Sequence, residues 1–475
     1  MMKKWIWIFA LLLLTPLAAR GDTLSVSPGG MSLTDALAGC ADGDMIVLSP
    51  GVYDETGETF PLVIDKAVTL RGEEGAVIDT PALTAALRIE TDGVTLQNLE
   101  IRFRRTGIYA IGSDLTVENC RIILADEKWR VSSCGMWCGG VYRLTLRDCA
   151  FTGCGVSLAG PPLSESTGNV PKLTGMFEVG EDEEFFTTHT MENCSVNGRK
   201  LFYAASLPAV TAPEDAGEII CCGCDEVIVR NADVSDSSMG MVLAHNRFVL
   251  LENCKADRCG VFGIYVAKCG NGRLVGCSAS ETNHGLDVRG SEHILLENCI
   301  AADCEQGMFF SATSSSAMLG CTVTGTRQGY FMAVGSGNVL QNCTAAQCEN
   351  GFNLQKEGQV LMTGCTVEKC TVCGVRLDAT PTSFIHNTLR DNWVGVMAYG
   401  GVSLDIADNL FENTAGCALY LRDIGFSRIS GNTFIGDQQS SVQLIGSLGG
   451  SVWIGNKLDL PADFSQAADG FALTD

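Results

Sequence analysis

Basic side chains are the first shortage. The 475 residues carry 32 Lys plus Arg against 55 Asp plus Glu, a formal net charge of −23 at pH 7. A chain of that sign repels phosphate backbones and anionic headgroups, which excludes nucleic acid and a lipid surface as natural partners. Histidine is scarcer still: His189, His245, His284, His293 and His386 are the whole set, and no two are spaced as a short ligand pair. The 12 prolines leave little for linkers between domains. Helix-length periodicity is missing from the body of the chain, which excludes alternating strand–helix repeats. The 46% hydrophobic content in turn excludes a disordered chain. What is abundant is glycine, at 54, and cysteine, whose 23 copies are an odd number and cannot all pair within one chain.

The N-terminus reads as an address. Met1-Met2-Lys3-Lys4 is a positive leader, Trp5 to Leu14 an apolar run, and Ala18-Ala19 the small residues of a cleavage site. The run is too short for a membrane span. Residues 1–19 are therefore expected to be a signal peptide, and the protein to be exported, periplasmic or extracellular, without a membrane span once it is removed.

A repeat organises the rest. Cys254, Cys277, Cys299, Cys321, Cys343 and Cys365 anchor similar segments at steps of 23, 22, 22, 22 and 22 residues. With other residues in the anchor place the register is expected to continue through Thr388, Leu410, Thr433 and Lys457, and upstream through Ala232, Cys194, Cys149 and Cys120. Each central repeat also carries Gly and a short alternating strand, as in Gly263-Ile-Tyr-Val, Gly285-Leu-Asp-Val and Gly307-Met-Phe-Phe. Alternation of this kind marks strands. Two or three strands in 22 residues, stacked one turn per repeat, describe an all-β fold: a single-stranded parallel β-helix over 45–457. About 15 rungs at about 4.8 Å would make a rod of roughly 70 Å. Ser32 to Cys40 reads as a short helix within an N-terminal cap of residues 20–44, and 458–475 as a C-terminal tail. Gly-, Pro- and acid-rich stretches near 155–189 and 197–217 are expected to leave the rod as excursions.

The segment Thr188–Tyr203, THTMENCSVNGRKLFY, resembles a recurrent passage of the NosD-like right-handed β-helix proteins, as does Pro213-Glu-Asp-Ala-Gly-Glu-Ile-Ile220. Met191, Cys194 and Arg199-Lys200 depart from that family's usual residues. Gly43-Asp44-Met-Ile-Val-Leu-Ser-Pro-Gly-Val-Tyr53 resembles the opening of pectate-lyase-like β-helices. The resemblance implies right-handed coiling. It covers lyases, hydrolases, epimerases, adhesins and periplasmic accessory proteins, so it bears on fold more than on activity.

The cysteines admit three readings. A second ladder runs five residues behind the first, at Cys154, Cys259, Cys304, Cys348 and Cys370, with Thr282 and Thr326 between. Stacked Cys behave as small buried hydrophobes, and parallel Cβ vectors suit a disulfide dihedral poorly. The packed-thiol reading is preferred over bridges or metal. Cys221-Cys222-Gly-Cys224 and Met239-Gly-Met241 near His245 are what a copper site would draw on. Neither calcium nor copper finds a clear ligand set, so no cofactor is assigned.

If Ile264, Leu286, Met308, Tyr330, Phe352 and Val375 point inward, then Tyr265, Asp287, Phe309, Phe331, Asn353 and Arg376 form one exposed column. Two residues on, Arg289, Gln355 and Asp378 stand in a second. Rings beside polar and charged groups suit a sugar: rings stack on apolar sugar faces and polar groups take the hydroxyls. The substrate-binding set is thus Tyr265, Phe309, Phe331, Asn353, Gln355, Arg376 and Asp378, and Asp287 with Arg289 is the catalytic candidate. No carboxyl pair lies on neighbouring rungs, as hydrolysis would need. The sequence therefore points to an exported β-helix that binds a polysaccharide or cell-surface glycan, with lyase, hydrolase or epimerase action left open. A periplasmic copper-handling role, or a purely structural or adhesive one, is the alternative. Oligomeric state is not indicated.

Overall fold

The computed structural model describes residues 21–81, 83–159, 182–401, 403–436, 441–467 and 472–474. The expected signal peptide and the middle of the 155–189 excursion lie outside them.

Each turn is built from short strands that pair in parallel with the same strands one repeat on. Ile294–Glu297, Ile300–Ala302 and Gln306–Ser311 are followed by Ala317–Leu319, Thr322–Thr324 and Gln328–Ala333. The register is strict: Leu296 pairs with Met318, Ala301 with Val323 and Met308 with Tyr330. The strands are short because each ends at a corner in the left-handed region. Asn298, at φ 53°, makes one such corner, and Gly320, at φ 61°, makes the next. Asn tolerates that conformation and Gly adopts it freely. A Cβ on Gly320 would lie 2.6 Å from Asn298 Oδ1, so asparagine and glycine alternate there.

The stack is longer than the repeat count suggests. The solenoid has about 19 turns rather than about 15. Strand Thr23–Val26 already pairs with Met45–Leu48, so the first turn starts inside the expected cap. Helix Leu33–Gly39 is an insertion after that strand, with Ser32 Oγ accepting from Asp35 N–H. At the far end Ala462–Ala467 and Ala472–Thr474 continue the ladders through the expected tail. The expected excursion at 197–217 also contains ladder strands, Arg199–Ala205 and Val210–Thr211. Irregular turn lengths hid these rungs.

At that point the chain reverses. Ser195–Val196 and Arg199–Lys200 form the antiparallel pairing of a hairpin, turned by Asn197 at φ 52° and Gly198 at φ 75°. Two left-handed residues in an Asn-Gly turn are what a two-residue hairpin requires. The second solenoid is pinned to the first at successive rungs. Ser238 Oγ accepts from the Gly135 and Gly155 amides at 3.0 and 2.8 Å, and Ser132 N–H donates to the Gly260 carbonyl at 2.7 Å. Glu218, fully buried at this junction, accepts from Val156 N–H at 3.0 Å. Burial pushes its carboxyl well above the usual carboxylate range, against the hydrogen bonds from the Val156 and Ser238 amides.

Inside, Ile264, Leu286, Met308, Tyr330, Phe352 and Val375 stack in one buried column, as the alternation predicts. Tyr330 keeps its hydroxyl satisfied by donating to the Cys321 carbonyl at 2.7 Å. All 23 cysteines are unpaired and buried. The anchor column continues differently from expectation: after Cys365 it passes to Asn387, Asn409, Asn432 and Asn456, one residue before Thr388, Leu410, Thr433 and Lys457. The reason is chemical equivalence. Cys343 Sγ reaches the Met318 carbonyl at 3.2 Å, and Asn409 Nδ2 donates to the Phe384 carbonyl at 2.8 Å, each 25 residues back along the chain. A thiol and an amide thus serve the same inward carbonyl, so matching on cysteine alone loses the register where asparagine takes over.

Candidate functional site

The outer face of the long sheet, from Phe262–Ala267 to Cys417–Arg422, carries every residue of the sequence-derived site. Tyr265, Asp287, Phe309, Phe331, Asn353 and Arg376 do form one column, and Ala267, Arg289, Ser311, Ala333, Gln355 and Asp378 the next. The columns are as expected, but their exposure is not.

Upstream, the face is closed. Tyr265, Asp287, Arg289 and Phe309 are all buried, and Asp287 has no exposure at all; Asn353, one rung beyond Phe331, is buried as well. Arg289 donates from Nε to Asp287 Oδ1 at 2.7 Å and from Nη2 to Oδ2 at 2.8 Å, and His284 Nδ1 sits 2.8 Å from the same Oδ2. Aromatic rings surround the pair. The Arg289 guanidinium lies 4.9 Å from the Phe309 centroid, 5.6 Å from Phe262 and 5.9 Å from Tyr265. Burial alone would raise the Asp287 carboxyl, but the Arg289 charge and the hydrogen bonds from Arg289 and His284 hold it below the usual range. Burial pushes the Tyr265 phenol up in spite of Arg289. Asp287 and Arg289 therefore satisfy one another in a dry aromatic box instead of standing on an exposed column. The strand alternation could not reveal this, because the rings that cover the pair stand on the same outer face, on its own and neighbouring rungs.

Downstream, the face opens. Phe331, Gln355, Arg376 and Asp378 are half-buried. Phe331 extends the aromatic box outward by stacking on Phe309, centroids 4.7 Å apart and planes 4° apart. Asn353 Nδ2 donates to Gln328 Oε1 at 3.2 Å, and Gln355 Nε2 to Asn353 Oδ1 at 3.1 Å, so amides line the next rung. The columns then continue through residues the sequence reading did not reach: Met397 and Tyr420 in one, Tyr399 and Arg422 in the other. Tyr399 and Tyr420 are half-buried with centroids 5.7 Å apart, and the Arg376 guanidinium lies 5.9 Å from the Tyr399 ring. The signal for them was present, since Gly395-Val-Met-Ala repeats the Gly-strand pattern. It fades one turn later, where Ala418 takes the glycine's place.

Among the described residues no group of three or more His, Cys, Asp or Glu could hold a metal ion. Cys221 and Cys224 belong to the solenoid core, and burial pushes the Cys221 thiol upward. Among the described residues no helix is long and apolar enough to cross a membrane.

A family model described as the right-handed β-helix region matches residues 85–286 and 242–389, and a short model described as a protein of unknown function matches 27–77. No curated protein matches the chain. Among solved structures, the A-module of mannuronan C-5 epimerase AlgE6 from Azotobacter vinelandii is 14% identical, over 93% of this chain and 92% of its own, with a TM-score of 0.24. Pectate lyase Pel9A is 15% identical over 81% and 76%, with a TM-score of 0.22. PfbA, a surface adhesin of Streptococcus pneumoniae, is 9% identical over 81% and 88%, with a TM-score of 0.23. Likeness at this level carries nothing about activity.

Proposed function

The chain belongs to the right-handed β-helix family, and from that premise we propose that it is an exported protein that binds a polysaccharide along the open half of its long sheet. One observation carries the reading: the outer face divides into a sealed ion pair at Asp287 and an open strip of rings, amides and charges from Phe331 to Arg422. A sugar chain lying along the axis meets a new set of side chains about every 4.8 Å. Phe331, Tyr399 and Tyr420 supply stacking surfaces, and Gln355, Arg376 and Asp378 supply hydroxyl partners, while the buried Asn353 accepts from Gln355 beneath them.

Within this proposal Asp287 and Arg289 are a structural ion pair rather than the acid and base of a lyase or epimerase. A general base must reach the proton it removes. Asp287 has both oxygens occupied and no exposure, which supports binding over catalysis. Enzymatic action on the bound glycan is the second reading, since this fold hosts several activities.

Affinity gel electrophoresis of residues 20–475 against a panel of polysaccharides tests the proposal. Retardation by one glycan, lost in Phe331→Ala with Tyr399→Ala, is the expected result. Unchanged mobility across the panel would overturn it, and release of reducing ends or unsaturated products from a retarding glycan would favour the enzyme reading.

A further inference from the structure

Resting on that binding reading, we infer that the ligand is a neutral glycan, recognised by ring stacking and hydroxyl contacts, and not a polyuronate or sulfated chain. The arginines of this face are answered by carboxylates of the same turn. Arg289 is doubly bonded to Asp287, Arg376 lies 4.0 Å from Asp378, and Arg422 lies 3.4 Å from Asp423. Arg289 is closed by its two hydrogen bonds, and Arg376 and Arg422 each have a carboxylate within 4.0 Å that balances their charge, so the strip has no surplus positive charge with which to take a carboxylate or sulfate on every sugar. Recognition of a polyanion depends on arginines whose charge is not already balanced by a neighbouring carboxylate. Lys356 stands at a corner beside Gln355, outside the strands that carry the rings.

The surroundings act in the same direction. A chain of net charge −23 presents a field that slows and weakens the approach of a polyanion. What the strip offers in surplus is neutral. Phe331, Tyr399 and Tyr420 lie on rungs that span about four steps, roughly 19 Å, the length of a short oligosaccharide. The Arg376 guanidinium lies 5.9 Å from the Tyr399 ring, so on this strip it acts as a stacking partner of that ring more than as a counter-ion.

The test sets neutral polysaccharides (a β-glucan, a xylan, a mannan) against polygalacturonate and alginate, each at low and at high salt. The wild-type protein is expected to be retarded by at least one neutral glycan, with retardation unchanged by salt and weakened about tenfold or more in Tyr399→Ala/Tyr420→Ala. Both tyrosines are half-exposed, so melting temperature should stay close to wild type and separate lost binding from lost fold. Retardation confined to the acidic polymers and weakened by salt would overturn the neutral-glycan inference while leaving glycan binding standing. Retardation by none would overturn the binding reading itself, and this inference with it.

Discussion

Arg289 grips Asp287 through two parallel hydrogen bonds, 2.7 and 2.8 Å long, with neither side chain open to solvent. A buried pair of this kind is weak grounds for stability but costly to break from one side, because the surviving charge is left in a dry site. Asp287→Asn should therefore destabilise the protein by about 3–5 kcal/mol in chemical denaturation. Asp287→Asn combined with Arg289→Met should cost less than the sum of the two single changes. Additive single effects would contradict the pairing. The Asp287 carboxyl is held low, so this stability is present above the unfolded carboxylate pKa of about 3.9 and is lost as pH falls through the folded value.

Glu218 gives the opposite pH dependence. Its carboxyl is raised, so the stability it contributes is full below the unfolded pKa of about 4.3 and is lost as pH rises toward the folded value. Glu218→Gln cannot ionise. The variant should gain on wild type as pH rises from about 5 to about 8, at no more than about 1.4 kcal/mol per pH unit. Urea midpoints of the two proteins that keep a constant separation across that range would contradict a buried neutral acid. The groups facing it are the thiols of Cys134, Cys154 and Cys259, of which Cys134 and Cys259 are pushed up to about 12 by burial, so they stay uncharged over the same range.

The asparagine ladder carries more than the cysteine ladder it continues. Asn409 accepts from the Asn387 amide at 2.8 Å and donates to the Phe384 carbonyl at 2.8 Å. Asn409→Ala orphans both groups and should cost at least about 2 kcal/mol. Asn409→Cys, which restores a donor to the carbonyl, should cost less. Equal losses in thermal or urea unfolding would show that the amide and the thiol are not equivalent there.

The thiols make a separate prediction. A thiol reagent should find few groups in the native protein and all 23 after denaturation without reductant. Substantially fewer than 23 would mean that neighbouring rungs are bridged.

The legible part of this fold lay in the 22-residue step. It located the inward column from Ile264 to Val375 and placed the two outer columns residue for residue, because period-2 alternation and a fixed repeat determine which side chains stack. The same step could not say that Asp287 is buried and Arg376 is not. Both occupy one column, and the difference arises from the side chains beside them: aromatic rings of adjacent rungs and His284 surround Asp287 and Arg289, whereas Arg376 has one ring beside it among the described residues, that of Tyr399 at 5.9 Å. The reversal at Asn197-Gly198 was present as a hairpin signal inside a stretch read as an excursion. Tyr420 was missed because the glycine marker fails at Ala418, although the backbone register does not, whereas Tyr399 follows Gly395, where the marker is present and the columns could have been extended.

The central claim is that a glycan lies on the open strip of the long sheet. Hydrogen exchange of the protein with and without the polysaccharide that retards it tests this most directly. The account predicts added protection in Gln328–Ala333, Asn350–Gln355, Cys373–Asp378, Val394–Tyr399 and Cys417–Arg422, with the other two faces of the same turns unchanged. Protection that falls instead on the opposite faces, such as Val360–Thr363 or Thr366–Glu368, would contradict it.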